Sequence, residues 1–503
     1  MALDDIRNTR LGKLKILQDK GIDPYPATVR RDKEIAEVVG SFSKLSKSKK
    51  NLHLVGRVMS LRPQGGLVFF HFDDGTGRLQ GMLKKGEKVS DEDFSLFVDT
   101  VDVGDFVEVK GALFLTKKKE KTVQVSNWRM ICKSLRPLPE KWHGLQDIEE
   151  RFRRRYLDTL MNEEVRNRFL LRVRMMGEIR NFYNSKGFIE VELPELQPLA
   201  GGATARPFVT HHNTLDTDFY LPVAQELYLK ELLAGGFTRV YEMGRRFRNE
   251  GVDTMHNPEF TMLESNEAYV DAEDQRKFIE ELFKYVVKKL FGKMKVVYSG
   301  NTIDFGKKFA VVTYFDLLRR NALIPNPESI NREEVAIRAH QLAVPVLDDD
   351  SLPKILDNIY KKTARPKLIQ PTFIIDYPVT FNPFAKRKGD NPSLIDRFQL
   401  VVGGIELVNA FSELNNSLDQ KERYLEEDKK GEAGEAEISP SDKEYLEAME
   451  YGMPPNGGIG IGIDRLAMIL TDTQNIKEVI LFPTLRPRPK EEKKEEGGEE
   501  GKE

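Results

Sequence analysis

Residues 457–466 read GGIGIGIDRL, and no other run restricts the fold as tightly. Ile459, Ile461 and Ile463 alternate with Gly460 and Gly462. Successive side chains of a strand point to opposite faces, so one face here carries isoleucine and the other carries nothing. A bare face of this kind admits a flat ring or a second backbone at close range. Asp464 and Arg465 follow where a helix should start, which sets a guanidinium at the lip of the bare face. The glycines alternate strictly and no βαβ unit with a ribose-binding acid follows, so the run is not a dinucleotide fingerprint; a Walker lysine loop is also absent. Two readings stand at this level: a base such as adenine between strand and arginine, or close packing within a sheet.

A second run, GRRFRNEGVDTMHNPEFTMLE, occupies 244–264. Arg245, Arg246, Arg248 and Glu250 crowd one side of a short loop, and His256, Asn257, Glu259 and Glu264 crowd the other. A surface salt-bridge cluster explains one or two of these charges; the whole set asks for a charged ligand. Upstream, Val165, Phe169, Val173, Met176, Ile179 and Tyr183 repeat at helical spacing and predict a long helix over 163–186 that Gly187 ends, with a strand running to Pro194. Residues from about 308 to 365 read as a mainly helical, polar insertion, and strands resume at PTFIIDYPV.

The N-terminal part has a different pattern. Residues 3–21 have helical spacing, and SKLSKSKKN after them reads as a linker or flexible edge. Between 52 and about 133, five short β runs are separated by turn residues, with DEDFSLFVDTV as a helix between the third and fourth. That order is the one expected of an oligonucleotide/oligosaccharide-binding (OB) barrel. On its second strand, alternation puts Phe69 and His71 on one face and Phe70 on the other, so at least one ring is core, and Phe69 is a candidate to stack on single-stranded bases. Residues 1–155 carry 31 Lys+Arg against 22 Asp+Glu, although the whole chain is near neutral at −2. The local excess fits a polyanion partner, or a merely solvated lysine surface.

At 503 residues the chain is long enough for two or three domains. Its single cysteine, Cys132, excludes a disulfide framework and a thiolate metal cluster, and its seven histidines lack zinc spacing. No apolar run approaches ~18 residues and MALDDIRNTR lacks a signal peptide's apolar stretch, so the expected setting is cytoplasmic with no membrane contact. The final KEEKKEEGGEEGKE is low-complexity and reads as a disordered charged tail.

FRNEGVDTMHNPEFTMLE, GGIGIGIDRL and the helix–strand ending GFIEVELP resemble the three motifs of class II aminoacyl-tRNA synthetases. LRPLPEKWHGLQD, GGATARPFVTHHN, ELYLKELLAGGFTRVYEMGRRFRNEG, AFSELN, EYGMPPNGG and VILFPTLRP narrow the resemblance to the lysyl-tRNA synthetases, over about residues 5–488. The implied fold is α+β. It has a helical extension at 1–50, an OB-fold anticodon-binding domain at 51–135 and a linker at 136–160. A class II catalytic domain, an antiparallel sheet flanked by helices, spans 161–488, and the tail spans 489–503. The implied activity joins L-lysine and ATP into lysyl-adenylate, with Mg2+ as cofactor, and passes lysine to the 3′ end of tRNA(Lys). The implied assembly is a homodimer.

The resemblance also implies roles. Arg248 is the catalytic residue, bridging the substrate carboxylate and the α-phosphate, a task its planar fork suits. Glu250 and the backbone near Asn257 read adenine, His256 meets the terminal phosphates, Phe260 and Arg465 cover the two faces of the base, and Glu406 carries magnesium. The Gly202 carbonyl, Glu226 and Glu264 take the α-ammonium and Glu413 the ε-ammonium. Asn409 and Phe411 lie two residues apart on the same strand face. Arg57 and Phe69 are the anticodon candidates. Two positions depart from the family: Asn266 stands where a tyrosine usually contacts the ε-ammonium, and Gln399 where a second metal-binding glutamate is usual. The loop TFNPFAK differs as well. An aspartyl- or asparaginyl-type enzyme would need a cation where these pocket positions carry acids, and protein-lysylating relatives typically lack the barrel. The departures leave one alternative, a non-acylating paralogue that binds ATP and RNA.

Overall fold

Phe70 and Phe72 alternate with Phe69 and His71 along the strand Leu67–Asp73, and this alternation separates barrel core from outer face. The computed structural model describes residues 3–139, 147–432 and 438–488, and the chain divides into two compact units, Met1–Gln146 and Asp147–Glu503. In the first unit Leu52–Gln64, Leu67–Asp73, Arg78–Lys84, Phe106–Leu115 and Lys121–Cys132 close a barrel, with the fifth strand between the third and fourth. The helix Asp91–Thr100 follows the third strand, and Ser90 caps it by accepting from Asp93 N. Phe70 and Phe72 are fully buried. A Cβ at position 81 would lie 2.2 Å from the Phe70 ring, so glycine is what lets the third strand pass. Helices Leu3–Asp19, Ile35–Gly40 and Phe42–Lys47 precede the barrel. The last of these falls in the stretch expected to be a linker; it forms because Phe42 is buried with the barrel's core residues.

The second unit is built on an eight-stranded sheet among the described residues. Its order is Ala310–Thr313, Thr372–Pro378, Leu394–Val402, Ile405–Ser412, Asn456–Gly462, Glu259–Ala268, Arg239–Phe247 and Ile189–Glu190. Pairing is antiparallel except at the two edges. One face is a single apolar layer: Leu263, Ile459, Ile461, Val408 and Phe398 pack beneath the helices Glu163–Ser185, Ala272–Phe291 and Ile463–Thr471. Asp271 caps the middle helix and Gly292 ends it at φ 68. The other face is left for the site.

Four expectations change in detail. Val173, placed on the buried stripe of its helix, is 64% exposed, whereas Met175 and Phe182 are buried, because the helix packs on two sides and its apolar face turns accordingly. The strand expected to reach Pro194 is only Ile189–Glu190; its pairing ends with Val191 N donating to Tyr241 O, and proline has no N–H to extend it. The insertion is helical through Tyr314–Ala322, Arg332–Gln341 and Leu352–Thr363, but not polar throughout, since Tyr314, Leu318, Val335, Ile355 and Ile359 form a second core. Part of the expected linker is helical too, at Ile148–Arg153 and Arg155–Met161, where Arg155 is buried against Asp158 at 2.8 Å. The expected tail, 489–503, lies outside the described residues. Among the described residues no helix is long and apolar enough to cross a membrane.

Candidate active site

Antiparallel register sets directly opposed residues on the same face, and here it lays two rows across the sheet. Gln399, Asn409, Gly460, Glu264 and Glu242 form one row. Arg397, Phe411, Gly458 and Asn266 form the next. The rows floor a cavity of about 1070 Å³, whose walls include Gly202, Glu226, Arg248, Glu250, His256, Asn257, Phe260, Glu406, Glu413 and Arg465. All the residues expected for this unit therefore meet in one space. Arg57 and Phe69 belong to the first unit, on the outer face of its barrel. There Arg57 lies 4.3 Å over the Phe106 ring, and Phe69 is paired with Arg62 and Met82.

One end of the cavity is acidic. Glu413 Oε1 accepts from Asn266 Nδ2 at 3.2 Å, and Asn266 also reaches Asn456 Oδ1 at 3.2 Å. Behind them the fully buried Lys230 ammonium lies 2.8 Å from Glu226 Oε1 and 3.1 Å from Glu413 Oε2. Glu264 accepts from Arg246 Nε at 2.9 Å and from Gln225 N at 2.6 Å. Arg246, also fully buried, reaches Glu242 with its other nitrogen. So Arg246, which the sequence places beside the ligand loop, neutralises the pocket floor and is not a free cation. Gly458 explains how a carboxylate can lie over the strand: a Cβ there would sit 1.9 Å from Glu413 Oε1. The bare face is thus divided, its Gly458 end taken by Glu413 and its Gly460–Gly462 end open beside Met262 and Arg465.

The other end is cationic. The Arg248 guanidinium lies 5.3 Å over the Phe260 ring, and its Nε is buried with no hydrogen-bond partner among the described residues. Burial pushes the Arg248 guanidinium below its usual range, against Glu250 and Glu264. A buried donor without a partner marks a place built for an acceptor. Arg465 donates to Glu406 O at 3.3 Å and lies 3.3 Å from His256 Nε2, while His256 Nδ1 is held by Asp253 at 2.9 Å. Glu250 stands exposed at the rim. Asn257 donates to Glu259 O and accepts from Thr484 N, so its amide shapes the loop. Asp464 accepts from Thr261 N and from Arg172, each at 2.7 Å, and so aligns the start of the Arg465 helix with the strand carrying Phe260.

No group of three metal-binding side chains exists among the described residues. Glu406 is a single carboxylate on the wall, and the Gln399 carbonyl already accepts from the Tyr377 hydroxyl at 2.7 Å. This set fits a magnesium ion carried mainly by nucleotide phosphates, not a preformed protein cage. Lys230, Arg172, Tyr377, Arg397 and the insertion residues Lys354 and Tyr360 are among the site components that motif reading missed. Only Lys230 had a local signal, its spacing of four from Glu226 on one helix face.

The chain matches two family models: "tRNA synthetases class II (D, K and N)" over 147–486 and "OB-fold nucleic acid binding domain" over 52–131. It is 46% identical over 491 residues to a lysine–tRNA ligase of Roseiflexus sp. (strain RS-1), covering 97% of this chain and 100% of that one. A lysine–tRNA ligase of Carboxydothermus hydrogenoformans is 44% identical, at 97% and 99% coverage. One of Aquifex aeolicus is 47% identical over 87% of this chain and 73% of its own. With both ends of the cavity and both folds accounted for, the chain belongs to the lysine–tRNA ligase family of class II tRNA synthetases.

Proposed function

We propose that the protein activates L-lysine with ATP and transfers it to tRNA(Lys). The observation that carries this reading is the polarity of one cavity, with Glu226, Glu264 and Glu413 at one end and Arg248, His256 and Arg465 at the other. Lysine brings two ammoniums and a carboxylate, and buried ammoniums need paired acceptors. A carboxylate oxygen of lysine bonds to the α-phosphorus as the bond from that phosphorus to the β-phosphate oxygen breaks, and pyrophosphate leaves. The tRNA 3′-terminal hydroxyl then attacks the lysyl carbonyl carbon, and AMP leaves. The first step needs alignment and charge neutralisation more than a covalent intermediate. Arg248 holds the two reacting anions together, using the donor that is unpartnered in the protein alone. Phe260 and Arg465 enclose the base, and Glu264, fixed by Arg246 and Gln225, receives the α-ammonium with Glu226 and the Gly202 carbonyl. Glu413 receives the ε-ammonium.

Magnesium, when bound, neutralises phosphate charge, and Glu406 is the residue that would hold it. Gln399, with its carbonyl engaged by Tyr377, adds no charge to that position. The reading extends to a cytoplasmic homodimer in which the exposed Leu170, Val173 and Ile189 meet a second copy, and to anticodon contact through Arg57 and Phe69. The deciding experiment is ATP–pyrophosphate exchange with each common amino acid. Lysine should support it well above ornithine or arginine. Exchange with aspartate or asparagine and none with lysine would remove the assignment.

A further inference from the structure

The Lys230 ammonium is enclosed on four sides. Glu226 and Glu413 approach it at 2.8 and 3.1 Å, and the rings of Phe384 and Tyr445 lie at 4.8 and 5.0 Å. Lys230 does not line the cavity, but both of its acids do. Each carboxylate therefore shows one side to a resident ammonium and the other to whatever enters. In Glu413 the split is by atom: Oε2 faces Lys230, and Oε1, held by Asn266, faces the cavity above Gly458.

Two carboxylates and one ammonium leave one negative charge in excess in a buried space, and burial disfavours that excess. Burial pushes the Glu413 carboxyl up to about 8 against the pull of Lys230, with Glu226 adding to the rise. Glu226 is raised by burial too. Burial alone would lower Lys230, but Glu226 and Glu413 outweigh it and keep the ammonium charged. Other groups facing this space do not supply the missing charge. Tyr445 and Tyr424, from the helices Lys443–Glu450 and Ser417–Glu432, are neutral phenols pushed up by burial. Asn266 and Asn456 are uncharged, and Glu264, which faces Glu226, is paired with Arg246, a cation it shares with Glu242 and that is therefore not free for Glu226 or Glu413.

We propose that Lys230 is a positioning residue for the amino-acid pocket, a resident ammonium that offsets one of the two facing carboxylates. The pair then accepts one further ammonium and gives up its remaining proton on doing so. This rests on the reading of the cavity as a lysine site. The step balances: a protonated Glu413 loses its proton to solvent and its carboxylate pairs with the incoming ε-ammonium, with no bond made or broken in the substrate. Around Glu413 the charges are thereby shared by atom, with Lys230 on Oε2 and the incoming ε-ammonium on the Oε1 side.

The test is the lysine KM in pyrophosphate exchange by the full-length protein, from about pH 6.5 to 8.5, for wild type and Lys230→Met. In the wild type KM falls about tenfold per unit below about pH 8 and levels off above it, because only the ionised carboxylate pairs with the ligand. In Lys230→Met, KM at pH 7.5 rises at least ~tenfold and the levelling point moves up by about one unit or more, while kcat and the ATP KM stay within a few-fold. Lys230→Arg, which keeps the charge, keeps the levelling point, and it serves with the wild type if the methionine variant does not fold. A wild-type KM flat across this range overturns the proposal, as does a folded, ATP-binding Lys230→Met with the wild-type profile or a shifted levelling point in Lys230→Arg. Exchange supported by another amino acid but not by lysine at any pH would instead overturn the activity assigned above.

Discussion

Gly458→Ala is the sharpest test of the idea that Glu413 owes its position to a bare strand. The added Cβ would lie 1.9 Å from Glu413 Oε1 and 3.0 Å from Asn266 Nδ2. An ordinary contact begins near 3.4 Å, so the carboxylate must retreat by about 1.5 Å. Retreat is blocked behind it by Lys230, bonded to Oε2 at 3.1 Å. A displacement of about 1 Å in a positioning group costs ~10²-fold, or about 2.7 kcal/mol at about 1.36 kcal/mol per factor of ten. The measurement is kcat/KM for lysine in pyrophosphate exchange, with the ATP KM as an internal control. Gly460→Ala is the matched comparison, because its Cβ would come closest to the tip of Met262 at 3.2 Å, a side chain that can turn aside, and would lie at ordinary contact distance, 3.6 Å, from Asn409 O. The expected result is a loss near a hundredfold for Gly458→Ala, largely in the lysine KM, and a lysine KM changed a few-fold at most for Gly460→Ala, whose Cβ enters the open end of the face beside Arg465. Equal effects of the two, or a Gly458→Ala enzyme within threefold of wild type, would refute the account of the divided strand.

Asn266→Ala removes a donor to Glu413, and a hydrogen bond to a charged group is worth ~1.5–3 kcal/mol, so the lysine KM should rise by tenfold or more; Asn266→Tyr should lower it. Gln399→Glu should lower the magnesium concentration that gives half-maximal exchange, and an unchanged value would mean that this position does not face the metal. Arg172→Met leaves the buried Asp464 without its cation, and urea denaturation should report a loss of about 3–5 kcal/mol together with a raised ATP KM. Phe69→Ala in the full chain should weaken binding of a lysine-tRNA anticodon stem-loop by ~1–3 kcal/mol, and wild-type affinity would assign the ring to packing alone.

Much of the site could be read along the chain because a strand's period is two. Glu264 and Asn266, Asn409 and Phe411, and the three glycines at 458, 460 and 462 each share a face by spacing alone. The barrel was legible for the same reason, with Phe70 inward and Phe69 outward. What spacing cannot supply is the partner of a buried charge. Lys230 meets Glu413 across 183 positions of sequence, and Arg172 meets Asp464 across 292. Arg246 reads along the chain as one of the charges crowding the 244–264 loop; its side chain turns to Glu264 and Glu242 once the register is set. The exposed Val173 was misread because apolar periodicity shows that a helix has a buried stripe but not which neighbours cover each part of it.

The strand Asn456–Gly462 lies in the interior of the sheet, between Ile405–Ser412 and Glu259–Ala268, yet among the described residues it is the last strand in chain order. Without this strand the sheet consists of two blocks, one ending in Ile405–Ser412 and one in Glu259–Ala268, each with an unpaired edge where it enters. Open edges are templates for pairing with the wrong chain, so a chain lacking this strand exposes two such edges at once. A chain broken before residue 456 lacks Gly458, Gly460 and Arg465 together, and with them the floor shared by both halves of the cavity.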